Sequence, residues 1–225
     1  MSLVERFSEI EAILIMGAAF VAILILGQIL HKGFGIWAGH TRKFIHIAVG
    51  VVCLGFRYPF QNIWVVLGSS AFFISFILLT RKKDILTALN RNEIQSSGDW
   101  LLSVAIIFNF LLLRYYEYDP LFYLPFLVLT FSDPAAFYGG YFFKKTSKSI
   151  PGVLAFVATA LLSIVWFLSW NTDLGTREIG ILALVCGLLG AFAEYHTHKG
   201  WDNISVPVVV GTLLVIYQEL FRNSI

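Results

Sequence analysis

Three short stretches of this chain hold residue types that could do chemistry. The first is LTFSDPAAFYGGYFF, residues 129–143, in which Asp133 is followed at once by Pro134 and flanked on both sides by apolar sequence. A carboxylate in an apolar run that crosses a bilayer costs about 2.5–3.5 kcal/mol on insertion scales, so its default reading is functional. Pro134 has no backbone donor and biases the preceding residue away from regular helix, which predicts a helix broken near Asp133–Pro134. Ala135, Ala136, Gly139 and Gly140 then allow close approach of another helix or a ligand, and Lys144, Lys145, Lys148 and Ser149 follow with positive charge and a hydroxyl. An aspartate holding Mg²⁺ beside lysines that grip phosphate is an economical interpretation. The plainer alternative is a kinked helix whose aspartate pairs with one lysine.

The second stretch is HTRKFIHIAVG, residues 40–50. If it is helical, Arg42 and Lys43 lie four and three residues before His46, on one face. That pattern suits an anion site, although a basic pair that merely snorkels to the interface has the same spacing. The third is AEYHTHKGWDNISVP, residues 193–207. Glu194 closes an apolar run, and Asp202–Asn203 opens the next one, where either residue would also serve as an N-cap. His196 and His198 lack a third ligand at convincing zinc spacing. A polar segment at residues 91–99, RNEIQSSGD, reads as a loop.

The elements that position these residues follow from composition. Of 225 residues, 58% are hydrophobic and 13% charged, and the mean hydropathy is +0.78. Soluble domains carry about 25% charged residues. Apolar runs of roughly 20 residues cross a bilayer as helices, and eight candidates are legible, at about 10–30, 44–58, 62–80, 100–116, 119–143, 151–170, 178–197 and 204–221. The expected fold is an all-α polytopic membrane bundle of about seven to eight spans, forming one domain over residues 1–225. Glu5, Glu9 and Glu11 stand where a cleavable signal would carry basic residues, so the first run is expected to remain. Cys53 and Cys186 lie in apolar segments without metal or disulfide spacing. Basic residues are scattered over the joints, which argues against nucleic acid as a partner.

Lysine and arginine also orient the bundle. With the N-terminus outside, eleven of the 16 basic residues fall on one side, including Lys32, Lys83, Arg91, Lys148 and Lys199. The other side keeps Arg6, Arg57, Arg114, Arg177 and Arg222. By the positive-inside rule the richer side is cytoplasmic, in a bacterial inner membrane or an endomembrane. All three polar stretches and the 91–99 loop then face the cytoplasm. There is no G-x-x-x-x-G-K-[ST], no H-E-x-x-H and no protein-kinase signature.

TRKFIHIAVG, then SDPAAFYGGYF…KSIPG, then E…DNISVP, resembles in order and spacing the CTP-dependent lipid-alcohol kinases, a family that includes dolichol kinase, phytol and farnesol kinases and the yeast-type diacylglycerol kinase. That family is distantly similar to phosphatidate cytidylyltransferases. The resemblance spans about residues 40–210. It implies phosphoryl transfer from CTP, or another nucleoside triphosphate, to the hydroxyl of a membrane lipid alcohol, with Mg²⁺ as cofactor and a second copy of the chain as a further candidate partner. It also implies roles. Asp133 and Asp202 would hold the metal, and Glu194 would act with them as second ligand or base. Arg42, Lys43, His46, Gly139, Gly140, Lys148, Ser149, Gly152 and Asn203 would bind the nucleotide. Ser132 departs from the glycine usual at that position. Two other readings stand beside this one: a cytidylyltransferase releasing pyrophosphate, and a small proton-coupled transporter or flippase with Asp133 and Glu194 as relay.

Overall fold

The computed structural model describes residues 9–55, 62–82, 98–143 and 148–222, and these residues are all-helical. Eight helices follow in order: α1 Glu9–Lys32, α2 Ala38–Leu54, α3 Ile63–Lys82, α4 Gly98–Tyr116, α5 Pro120–Phe142, α6 Ile150–Asn171, α7 Thr176–His196 and α8 Asp202–Tyr217. A π-helical turn, Gln218–Arg222, ends the described chain. Six helices are long and apolar enough to cross a membrane, and the apolar stretch Trp100–Tyr116 of α4 is shorter. The outer surface agrees with that count. Trp64, Phe72, Leu162 and Trp170 are each more than two-thirds exposed around the bundle, more apolar surface than a water-soluble monomer presents. The protein is a multi-pass membrane bundle.

The helix order runs up and down, so α2, α4, α6 and α8 begin at the end of the bundle where α1, α3, α5 and α7 finish. Centrally placed α5 packs against α2, α4, α6 and α8 and is buried along most of its length. An apolar helix without a polar face belongs in that position. By contrast, α1 is equally apolar but buries only Ala12, Met16, Leu24 and Gly27, leaving the rest for lipid.

Two expectations need correction. The helix carrying Arg42 and Lys43 starts at Ala38, not near residue 44, because AGHTRK continues the helix despite its polarity. And α5 is not broken at Asp133–Pro134: it is helical throughout, with both Pro125 and Pro134 inside it. Each proline deprives one carbonyl of its usual partner, and close packing of neighbouring helices makes such a loss tolerable in a membrane helix. At Gly50, α2 comes so near Thr130 that a side chain there would collide with it.

Glycine also sets the α5–α6 contact. A Cβ on Gly152 would stand 2.8 Å from the Ala136 carbonyl oxygen, and one on Gly139 would stand 2.8 Å from both the Pro151 carbonyl oxygen and the Ala155 Cβ. These are helix-crossing contacts made possible by missing side chains. Gly152→Ala is therefore expected to cost about 1–3 kcal/mol through overpacking, read as a lower unfolding midpoint in mixed detergent micelles. Gly180→Ala, where nothing lies within 4 Å, should raise the midpoint slightly, as alanine favours helix. Equal effects of the two substitutions would contradict this packing.

Candidate functional site

Asp133 projects from the second half of α5, just past its middle, into a space bounded by α2, and it is 4% exposed. Lys43, one turn into α2, donates to both of its oxygens at 2.7 and 2.6 Å. His46 sits one turn further along, with Nε2 3.5 Å from Asp133 Oδ2 and 3.1 Å from the Leu129 carbonyl. Nε2–H donates to that carbonyl, which assigns the proton to this nitrogen. The helical register of α2 aligns Lys43 and His46 as the sequence requires. Arg42, beside them, is half-buried.

A second ion pair stands next to the first. Lys148, just before α6, reaches the last turn of α7, where it meets Glu194 Oε1 at 2.5 Å and also donates to the Glu194 carbonyl. Ser149 is the N-cap of α6, accepting from the Gly152 amide at 3.3 Å. The Lys-Ser-x-x-Gly pattern thus has a local structural cause: a capped helix start that holds Lys148 against α7. Gly139 and Gly152, expected to approach a nucleotide, lie instead in the α5–α6 contact. Gly140 is buried.

Between α7 and α8 the chain turns within five residues. Lys199 and Gly200 both take left-handed conformations, with φ of 58° and 88°. The reversal returns Asp202 to the side of Glu194. Trp201 is the N-cap of α8, without a side-chain capping bond, so Asp202 does not cap and its carboxylate is left for the cluster. Asn203 does not cap either. Its amide donates to the Gly98 carbonyl at 2.7 Å, tying α8 to the start of α4. A Cβ on Gly98 would meet Asn203 Nδ2 at 2.8 Å and Gly200 Cα at 3.2 Å. Gly98 is the residue that reading the 91–99 segment as a plain loop missed; a glycine at the foot of a predicted helix was the only signal. Residues 91–97 and Lys144–Lys145 lie outside the described residues.

One oxygen each from Asp133, Glu194 and Asp202 lie within 4.8 Å of one another, the one such group of three among the described residues. His196 and His198 take no part. Their Nδ1 atoms face the Phe192 and Thr197 carbonyls. An aromatic group covers the α2–α5 side of the cluster. Lys43 Nζ lies 5.5 Å from the Phe137 ring centre, and His40 stacks on Tyr138 at 5.6 Å. The Ser132 hydroxyl, fully buried beside Asp133, has no hydrogen-bond partner.

No protein-family model, curated protein or solved structure matches this chain.

Three carboxylates form an oxygen donor set suited to a hard divalent cation. Around Mg²⁺, with oxygens at about 2.1 Å, neighbouring donors stand about 3 Å apart and opposite ones about 4.2 Å, so these three oxygens, now within 4.8 Å of one another, would close in by side-chain rotation to share an ion. The residues fit the ion, with Asp133 and Asp202 as its holders and Glu194 as a further ligand or a base. Bound there, a divalent cation would neutralise charge on phosphate oxygens. Lys43 and Lys148 stand on the edge of the same cluster and supply cationic donors for an anion.

Two outcomes are expected. Lys43→Met should destabilise the protein by about 3–5 kcal/mol, since it leaves a buried carboxylate without its counter-charge. The double variant Lys43→Met/Asp133→Asn should recover much of that loss in mixed-micelle unfolding, and simple additivity would argue against the pair. Separately, Mn²⁺ titration followed by electron paramagnetic resonance should show a bound ion. Asp202→Asn should weaken its binding by about tenfold or more, because affinity follows the ligand charge count.

Proposed function

We propose that this protein is a membrane-embedded kinase that transfers a phosphoryl group from CTP, or another nucleoside triphosphate, to the hydroxyl of a lipid alcohol such as a polyprenol, a phytol-like prenol or diacylglycerol. The observation that carries this reading is the meeting of three carboxylates with Lys43 and Lys148 at one end of the bundle. The order of the three motifs, similar to that of the CTP-dependent lipid-alcohol kinases, supports it.

Phosphoryl transfer asks for positioning and charge neutralisation more than covalent chemistry by the protein. Lys43 and Lys148 hold the triphosphate oxygens and neutralise charge that grows during transfer. Glu194 or Asp202 accepts the hydroxyl proton of the alcohol. A bond forms between that oxygen and the γ-phosphorus while the bond to the β,γ-bridging oxygen breaks, and the nucleoside diphosphate leaves. The cluster lies at the end of the bundle shared by the joints richest in lysine and arginine, which supports a cytoplasmic site by the positive-inside rule. Nucleotide reaches it there from water, and the lipid reaches it from the bilayer.

The test is purified protein in lipid nanodiscs with Mg²⁺, challenged with a panel of nucleotides against a panel of lipid alcohols and read by mass spectrometry. Lipid phosphate and CDP are the expected products, and Asp133→Asn should lower the rate by about two to three orders of magnitude. CDP-lipid with pyrophosphate would replace the kinase by a cytidylyltransferase. Proton-driven flux of a substrate without nucleotide turnover would replace it by a transporter, a reading that the one-sided gathering of polar groups disfavours.

A further inference from the structure

A groove of about 320 Å³ runs between α6 and α7 on the outside of the bundle. Its walls are Val153, Leu154 and Val157 on one helix and Leu188, Ala191 and Phe192 on the other, with Ile150, Tyr195 and His196 at one end. Deeper in, the two helices close up where Gly187 and Gly190 face Ala160 and Phe156. Several walls are open to the surroundings, with Leu154 and Phe192 each more than 60% exposed. On a membrane-spanning surface those surroundings are hydrocarbon.

The groove is polarised along its length. Tyr195 and His196 are its polar groups, and they sit at the end where α6 starts and α7 finishes. His196 is held there, its ring tilted against that of Phe192 at 4.1 Å and its Nδ1 on the Phe192 carbonyl. The Lys148–Glu194 pair bridges the start of α6 and the last turn of α7. The polar end of the groove is at that same end of the two helices. From Ile150 to Val157 the walls descend about 10 Å at the helical rise, a depth that takes a chain segment rather than a headgroup.

We propose that this groove seats the hydrocarbon chain of the lipid-alcohol acceptor, with its hydroxyl at the Tyr195–His196 end beside Glu194. The assignment rests on the kinase reading above for the identity of the acceptor, but the binding itself is independent of catalysis. An apolar trough with one polar end, opening on lipid and ending at Tyr195 and His196 beside the Lys148–Glu194 pair, complements a long molecule with one polar terminus. Entry is lateral, and no helix has to move aside to admit the chain.

The experiment uses full-length protein in phosphatidylcholine nanodiscs and two long-chain alcohols, each carrying a photoreactive diazirine. One bears it partway along the chain, at the depth of Val157, and the other near the hydroxyl. Cross-linked peptides are mapped by mass spectrometry. The mid-chain probe should label Val157 and Leu188, and the hydroxyl-end probe Tyr195 and His196. Excess unlabelled alcohol should suppress both, and an alkane of equal length should not. Leu188→Trp should reduce labelling about tenfold by overfilling the groove, while Leu162→Trp, on the outer face of α6, should not change it. Labelling spread over α1, α3 and α6 according to exposure, and indifferent to competing alcohol, would mean ordinary lipid contact and overturn the proposal. So would competed labelling concentrated between other helices. Competed labelling in the groove without lipid phosphate from any nucleotide would uphold the groove while removing the kinase reading. Lipid phosphate formed without groove labelling would do the reverse.

Discussion

A buried aspartate in a membrane bundle must be answered by a cation, and much of this structure follows from how Asp133 is answered. Lys43 reaches both of its oxygens from a neighbouring helix, and His46 stands close behind. For that to happen α2 has to lie against α5 along its whole inner face, which the bare surface of Gly50 opposite Thr130 permits. The helix also has to begin early enough to place Lys43 within its second turn. The same demand recurs at Glu194, which brings Lys148 and the start of α6 to the end of α7. Asn203 and Gly98 complete the ring by joining α8 to α4. Five of the eight helices are thus fastened at one end to α5 or to one another by polar contacts. Elsewhere in the described bundle, helix packing is chiefly apolar.

Ion pairs of this kind seldom add much stability compared with apolar residues of the same shape. Their presence at lipid depth needs another reason, and the charge inventory supplies one. Asp133 and Glu194 already have a lysine each, and Asp202 adds a third carboxylate within 4.8 Å. An arrangement holding anions and cations at such short range is poised to exchange internal partners for external ones. A divalent cation can take up the carboxylates while a polyanion takes up the lysines, and the local charge stays nearly balanced throughout. A cluster of one sign would hold only one of the two ligands. The mixed cluster suits a metal–polyphosphate pair.

The helices were legible because lipid demands long apolar runs, and seven of the eight expected spans agree with the observed helices to within a few residues. The exception, α2, begins with AGHTRK, whose polarity looks like a joint until one knows that a buried partner awaits Lys43. Pro134 misled for a related reason. Its effect on the backbone is local, but whether the helix survives depends on neighbours that a single sequence does not reveal. Asp133 stood out because a carboxylate is rare inside an apolar run, whereas Glu194 and Asp202, at helix ends where such residues are ordinary, were marked chiefly by the motif order. Gly139 and Gly152 stood out equally, yet their lack of side chains serves helix contact. Glycine near a ligand and glycine near a helix look alike in sequence, and only the distances to Pro151 and Ala136 separate them. Gly98 escaped notice because its partner, Asn203, lies 105 residues away.

The bundle is consequently uneven in a way that bears on its proposed chemistry. The buried ion pairs are gathered at one end, and the exposed flanks of the spans are hydrocarbon-like, including the α6–α7 groove that descends from that end. A soluble enzyme acting on a long-chain alcohol must extract its substrate from the membrane and shelter the whole chain in a cavity of its own. On the proposed function the bilayer already solvates most of the chain, so the protein would need to fix only the segment nearest the hydroxyl, which gives the polar groups a reason to sit at an end. Placed at the middle of the bundle, the same carboxylates would be closer to the lipid tail but beyond the reach of a water-borne polyanion. At the interface, both reactants arrive without leaving the phase that dissolves them.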